Sequence, residues 1–271
     1  MAELPPLPVL LYADPTWYPS PWRVALYLAE KRIPPSVVLA VPATDPVASK
    51  DFPKASRTFI PQLAVSKKQQ TSSQRSTNPD DYIWIPQSVA IILFLEGLCN
   101  THPELAPVGP LDSSPNPIRQ ALQRGVISHV EQLTTGVNAT QLFGSEPYNA
   151  MAQLAPMNLP AAHAVAKQVH TKTLTKLDEL LGQEGVVDCE GLESDREGAA
   201  SVADIVLYAT LAVNYDVQGI DLAKGYANIE RHLKAFRRRK SATAGLPEGG
   251  YPKMVEVFRT GFKEEVWARA G

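Results

Sequence analysis

The sequence predicts two unlike halves, an α/β N-terminal domain followed by an all-helical C-terminal domain. Three observations carry this. Strand-like and helix-like segments alternate as far as Asn100, and a proline-rich stretch follows from Pro103 to Pro117. From Ile118 onward only helical apolar spacing recurs, with no convincing strand.

Val9 to Tyr12 is a continuous apolar run and reads as a buried strand. Pro21 to Lys31 reads as a helix, because Val24/Leu28 and Ala25/Ala29 stand at i,i+4 and Pro34-Pro35 ends it. Ser36 to Val41 is β-branched and apolar, a second strand. Pro61 to Val65 and Tyr82 to Ile85 are the arms of a hairpin. Between them, Ser66 to Asp81 is almost free of apolar residues, which predicts a mobile loop rather than a packed element. Ser88 opens a helix with Ile91/Leu95 at i,i+4, and Gly97 is placed to cap its end. Strand, helix, strand, hairpin, helix is the order of a thioredoxin-like domain, here spanning 1–102. A linker at 103–117 leads to a helical-bundle domain at 118–271. Its candidate helices are Ile118 to Thr135, Ala161 to Leu181, Val202 to Val213, Ile229 to Lys240 and Lys253 to Ala268. Ser201-Val202-Ala203-Asp204 has the form of a capping box ahead of Ile205-Val206-Leu207.

Composition bounds the function. With 271 residues, 44% hydrophobic and 20% charged, the chain is an ordinary soluble globular protein able to bury a real core. A formal charge of -2 gives no field to attract nucleic acid or an anionic membrane. Cys99 and Cys189 are the only cysteines, with no CxxC spacing, so neither a disulfide framework nor a zinc site is indicated. A reducing, cytoplasmic setting is the expectation: no secretory signal is visible, and no run approaches the ~18 apolar residues of a membrane span. His102, His129, His163, His170 and His232 form no metal-binding spacing. Arg237-Arg238-Arg239-Lys240 closes a helix, where cations suit the dipole.

Several segments carry a resemblance. Tyr18-Pro19-Ser20-Pro21-Trp22-Arg23-Val24 follows the first strand, Phe59-Ile60-Pro61-Gln62-Leu63 leads into the hairpin, and Ile85-Pro86-Gln87-Ser88 opens the helix after it. With Trp22 to Ile33, Ser49-Lys50-Asp51-Phe52, Ser201 to Ile205 and Tyr226 to Phe236, these resemble the soluble glutathione transferases over most of the chain. The zeta type and its Ser/Cys-type fungal relatives are the nearest flavour. The polar Ser66 to Asp81 insert departs from that pattern, where the family has a tight turn.

The resemblance implies glutathione as co-substrate and assigns roles. Ile60-Pro61 would be a cis peptide whose Ile60 backbone pairs with the cysteinyl backbone of glutathione. An X-Pro bond makes this cheap, at roughly 0.5–1 kcal/mol; a trans proline opening an edge strand is the other reading of the same dipeptide. Gln87-Ser88 would hold the γ-glutamyl group, since a helix N-terminus offers free N–H groups and Ser88 adds a hydroxyl. Lys50, with Lys54 and Arg57, lies near the expected glycine-carboxylate end; solvated surface charge is the other reading of each of them. The residue that handles the thiol stays open. Tyr18 has the register, five residues before Arg23 and directly before a proline, while Ser20 has the hydroxyl of Ser-type members two residues further on. The Trp17 to Pro21 stretch also reads as a stiff turn with no catalytic hydroxyl.

Two functions are compatible with this. One is an enzyme that adds glutathione thiolate to a small hydrophobic electrophile, or uses glutathione catalytically for isomerisation or elimination, as a homodimer. The other is a non-catalytic binding or scaffold protein that keeps the fold, since fold alone does not establish chemistry.

Overall fold

The structure, a computed structural model, describes residues 7–13, 19–41, 51–54, 61–68, 76–111, 116–144, 159–217 and 219–244, with the backbone alone at 141–144. Four strands form one mixed sheet: β1 (Val9–Tyr12), β2 (Val38–Val41), β3 (Gln62–Ser66) and β4 (Tyr82–Pro86), in the order β2-β1-β3-β4. β1 and β2 run parallel, Val9 opposite Val38, and α1 (Pro19–Lys31) makes the crossover such pairing requires. β3 is antiparallel to both neighbours, with Leu63 opposite Leu11 on one side and Ile85 on the other. α2 (Ser88–Thr101) follows β4 directly.

Alternation along the strands gives each face of the sheet its own core. Val9, Leu11, Leu63 and Val65 point into the main cluster with Trp22, Leu26, Ile91 and Leu95. Leu10, Tyr12, Val41, Ala64 and Tyr82 form a smaller cluster on the opposite face, joined by Leu39, Phe52 and Trp84. There the Tyr12 hydroxyl donates to the Pro53 carbonyl at 2.5 Å, and the rings of Tyr12 and Trp84 lie 5.4 Å apart.

The helical part comprises α3 (Pro117–Gly144), α4 (Pro160–Leu181), α5 (Cys189–Glu193), α6 (Val202–Ala212) and α7 (Ala227–Arg237). Every residue of α6 is buried, and α1, α3 and α7 pack against it. α6 starts at the predicted capping box: Ser201 Oγ accepts from Asp204 N at 3.2 Å, and Asp204 Oδ2 accepts from Ser201 N at 2.9 Å. α7 has no side-chain cap of its own. Asp178 of α4 supplies it, its Oδ1 accepting from Asn228 N at 2.8 Å and Ile229 N at 3.0 Å.

Several expectations need correction. Gly97 does not end α2, which runs on to Thr101 because Leu98 and Cys99 are core residues; it stops at His102, the residue before Pro103. The insert is not wholly a loose loop. Asn78 caps a short 3₁₀ turn at Pro79–Asp81, Ser76 Oγ donates to Asp81 Oδ2 at 2.6 Å, and Trp84 Nε1 donates to the Pro79 carbonyl at 3.1 Å. An amide cap followed by proline at the first helical position is the signal for that turn. α3 continues nine residues past Thr135, through Gly136. A Cβ at Gly136 would stand 3.0 Å from His170 Cβ, so glycine here permits close approach of α4 rather than ending α3. β2 starts at Val38 rather than Ser36, because a turn closes Val37 N onto the Pro34 carbonyl at 2.9 Å. α5 was not foreseen: five residues are too short to show a period, and Asp188, accepting from Gly191 N at 2.9 Å, is its cap. The helix expected from Lys253 to Ala268 lies outside the described residues.

The described part of the proline-rich connection is pinned. Leu105, Ala106, Val108 and Leu111 are buried, Leu111 N donates to Glu96 Oε1 at 2.5 Å, and Lys31 Nζ donates to the Gly109 carbonyl at 2.9 Å. Lys31 and Glu96 are themselves a buried ion pair at 3.1 Å.

Candidate functional site

The start of α2 carries the Gln87-Ser88 pair. β4 delivers the chain to Gln87, whose backbone lies at φ 72°, ψ 128°, a conformation that costs an L-residue roughly 1–3 kcal/mol. Gln87 is exposed and gives no side-chain cap, so the N–H groups of the first turn have no side-chain acceptor from it. Those groups and the dipole attract negative charge. Ser88 is the first helical residue and is only 2% exposed, its hydroxyl turned inward rather than into open solvent.

What Ser88 faces is Arg23. This arginine is 1% exposed, and its guanidinium joins four elements. From α1 its Nη1 donates to Glu131 Oε1 of α3 at 2.5 Å and lies 3.5 Å from Ser88 Oγ of α2. Its Nη2 donates to Thr210 Oγ1 of α6 at 2.7 Å and to Thr134 Oγ1 of α3 at 3.2 Å. Burial pushes the guanidinium below its ordinary value, and Glu131 restores part of that. Sequence reasoning used Arg23 only to count back to Tyr18 and missed this junction. The available signal was its position on the same helical stripe as Tyr27 and Glu30, all buried in α1.

At the start of α1, Ser20 is the second helical residue and half-buried. Pro19 and Pro21 carry no N–H, so two of the four free donors of this first turn are missing. Among the described residues of this turn, the Ser20 N–H and the Ser20 hydroxyl remain. Pro61 is buried immediately ahead of β3. Tyr18, Lys50 and Ile60, and with Ile60 the expected cis bond, lie outside the described residues.

Other chemistry-bearing groups stand apart. Burial pushes the Cys99 and Cys189 thiols up, in Cys99 against the pull of Lys31 and in Cys189 against that of Arg231, so neither is a ready thiolate. Among the described residues no group of three or more His, Cys, Asp and Glu is placed to hold a metal. Among them, too, no helix is long and apolar enough to cross a membrane. A cavity of about 500 Å³ lies between α3 and α4, lined by Glu131, Gln132, Thr135, Gly136 and Ala139 of α3 and Ala166 and Val169 of α4. It does not include Ser20, Pro61, Gln87 or Ser88; Glu131 is its link to the Arg23 junction. The basic run is occupied internally. Arg237 makes a two-pronged contact with Asp216 at 2.8 Å, Arg238 pairs with Glu193 at 3.0 Å, and Arg239 is buried against Glu30.

A thioredoxin-like sheet with a proline-led β3, joined to a helical bundle centred on a buried, box-capped helix, defines the class. The particular fold is that of the glutathione transferases, as three solved structures attest. A glutathione S-transferase from Methylobacillus flagellatus KT, with GSH bound, has TM-score 0.57 and 21% identity, over 86% of this chain and 96% of that one. Glutathione transferase Omega 1C from Trametes versicolor has TM-score 0.59 and 16% identity, over 94% and 96%. A maleylacetoacetate isomerase from Anaeromyxobacter dehalogenans 2CP-1, with GSH in its active site, has TM-score 0.53 and 21% identity, over 89% and 95%. No family model matches the chain, and no curated protein does.

Proposed function

We propose that this protein binds glutathione and uses its thiolate, adding it to a small hydrophobic electrophile or using it catalytically for isomerisation or elimination. The observation that carries the reading is the start of α2. In a fold whose solved examples include GSH-bound enzymes, a strained Gln87 exposes first-turn N–H groups beside the Ser88 hydroxyl. A carboxylate suits that place, and the γ-glutamyl group supplies one. Ile60 and Pro61 at the head of β3 would pair with the cysteinyl backbone, and Lys50 would meet the glycine carboxylate. The division into domains at 1–102 and 118–271, a homodimer and a cytoplasmic setting belong to the same reading.

Glutathione is expected to bind, and Ser88→Ala to weaken it by roughly 10- to 150-fold, the equivalent of about 1.5–3 kcal/mol for a charge-assisted hydrogen bond. Calorimetry on both proteins measures this; unchanged affinity would remove Ser88 from the site.

The thiol is the second test. A free thiol with pKa ~8.5 is only a few per cent ionised at pH 7, and lowering it by about two units makes thiolate the major form. Removing the hydroxyl that donates to sulfur favours the protonated thiol, so the pKa rises and the rate at neutral pH falls. With the N–H groups missing at Pro19 and Pro21, a side-chain hydroxyl has more to supply here than at an ordinary helix start. The pH profile of conjugation to an aromatic halide is expected to move up by roughly one to two units in either Tyr18→Phe or Ser20→Ala, whichever removes the true donor. A profile unmoved by both leaves the thiolate to the backbone and dipole, or denies the reaction.

A further inference from the structure

The cationic run Arg237-Arg238-Arg239-Lys240 leads straight to a hydroxyl, Ser241. Internal pairing occupies Arg237 and buries Arg239, but the side chains of Arg238 and Lys240 stay 64% and 94% exposed. Ser241 thus has guanidiniums three and two positions ahead of it, the first of them at the surface. Protein kinases that choose substrates by charge pattern hold such groups against carboxylates, which the fork of arginine fits.

Ser241 also stands where the chain is fastened. It lies half-buried in the 3₁₀ turn Lys240–Thr243 that follows α7, between two exposed charged or polar neighbours, Lys240 and Thr243. Its hydroxyl donates to Glu30 Oε1 of α1, beside the two prongs from Arg239. Just beyond, the Tyr208 hydroxyl donates to the Ala242 carbonyl at 3.3 Å, and Trp22 Nε1 donates to the Ala244 carbonyl at 2.6 Å. Residues 239–244 therefore form a strap laid along α1, held by Glu30 near one end of that helix and by Trp22 near the other. Trp22 is two residues from Ser20.

We propose that Ser241 is a phosphorylation site for an arginine-directed protein kinase, and that its modification lifts the strap from α1. The terminal phosphoryl group of a nucleoside triphosphate passes to Ser241 Oγ. An O–P bond forms there as the bond to the leaving nucleoside diphosphate breaks, and the hydroxyl proton goes to the base of the kinase. The kinase needs an extended segment, so the turn opens first. Only two backbone bonds close it, Ala242 N to the Arg239 carbonyl at 3.1 Å and Ala244 N to the Ser241 carbonyl at 2.7 Å. Once made, phosphoserine has lost the proton it gave Glu30 and carries a charge of about −1.5 to −2. Among the described residues Arg239 is the one cation on Glu30, whose side chain is 3% exposed, so two anions compete for one guanidinium with little water between them. The phosphate is the one that leaves, because it sits on a single surface turn while Glu30 sits in a helix. Neither step requires glutathione.

The test treats the full chain with ATP and a kinase of this specificity and maps the phosphate by mass spectrometry. One phosphate is expected at Ser241, absent in Ser241→Ala. In Arg238→Ala the labelling rate is expected to fall by about tenfold or more, the size of a lost recognition contact. That variant keeps its fold, since Arg238 and Glu193 are an exposed pair. Hydrogen exchange then compares modified and unmodified protein. The Ala242 and Ala244 amides are expected to exchange at least about tenfold faster after modification, while those of α6 keep their rates. No phosphate at Ser241 overturns the proposal, and a peptide spanning 234–246 tells whether the sequence or the fold refuses it. Labelling of Arg238→Ala at the wild-type rate overturns the arginine-directed recognition. Phosphate at Ser241 that leaves both amides unchanged overturns the release of the strap.

Discussion

Arg239→Ala is expected to destabilise the protein by about 3–5 kcal/mol, the cost of leaving one member of a buried ion pair without its partner. Arg239 and Glu30 side chains are each 3% exposed. The pair is two-pronged, Nε to Oε1 at 2.6 Å and Nη2 to Oε2 at 2.7 Å, the fork geometry that fits guanidinium to carboxylate. Ser241 Oγ also donates to Glu30, and Arg239 reaches the Arg196 carbonyl at 3.3 Å. Without Arg239, Glu30 is a carboxylate in the interface between α1 and the helical part, held by one hydroxyl. Denaturant unfolding measures the loss. Lys240→Ala is the control: its side chain is 94% exposed and its contact to Asp195 is 3.6 Å, so a change beyond about 0.5 kcal/mol is not expected. Replacing Glu30 and Arg239 together by apolar residues of similar volume is expected to restore most of the loss, because no orphan charge remains. A single Arg239→Ala variant as stable as wild type would show that water reaches Glu30.

That pair marks the limit of what the sequence conveys. Strand and helix identities were legible because burial leaves a local period: Val9 to Tyr12 is the strand expected to the residue, and Ala161 to Leu181 differs from α4 only by Pro160. The capping box was legible because Ser201 and Asp204 are three residues apart, within one turn. Arg239, by contrast, sits in a run of four cations that reads as surface charge, and its partner is 209 residues away. Arg23 hides in the same manner, its acceptors Glu131 and Thr210 lying 108 and 187 residues on. Contacts closed by the tertiary fold leave no spacing to read. The start of α2 was legible because Gln87-Ser88 is a local motif; the contact of Ser88 with Arg23 was not, because Arg23 lies 65 residues away. Ends of elements failed where the fold overrides local preference, as at Gly97 and Gly136, glycines inside long helices.

Asp204→Ala is expected to cost roughly 2–4 kcal/mol, well above the ~1 kcal/mol of an ordinary cap, because buried donors lose their acceptor as well. The carboxylate accepts three hydrogen bonds inside the protein: Oδ2 from Ser201 N at 2.9 Å and Ser201 Oγ at 2.6 Å, Oδ1 from His232 Nε2 at 3.1 Å. His232 is fully buried, and its Nδ1 has no partner among the described residues. Alanine would leave both ring nitrogens and the Ser201 N–H stranded at the N-terminus of a helix with no exposed residue. For a chain of this length the melting temperature is expected to fall by about 4–7 °C. Asp204→Asn keeps an acceptor for Ser201 and is expected to lose less. Because α6 carries Asp204 in its first turn and Thr210 nearly two turns on, the box acts on the Arg23 junction only by holding the helix in place. Glutathione affinity of the protein that remains folded is therefore expected to be unchanged. Loss of binding at an unaltered melting temperature would move Asp204 out of the framework and into the site.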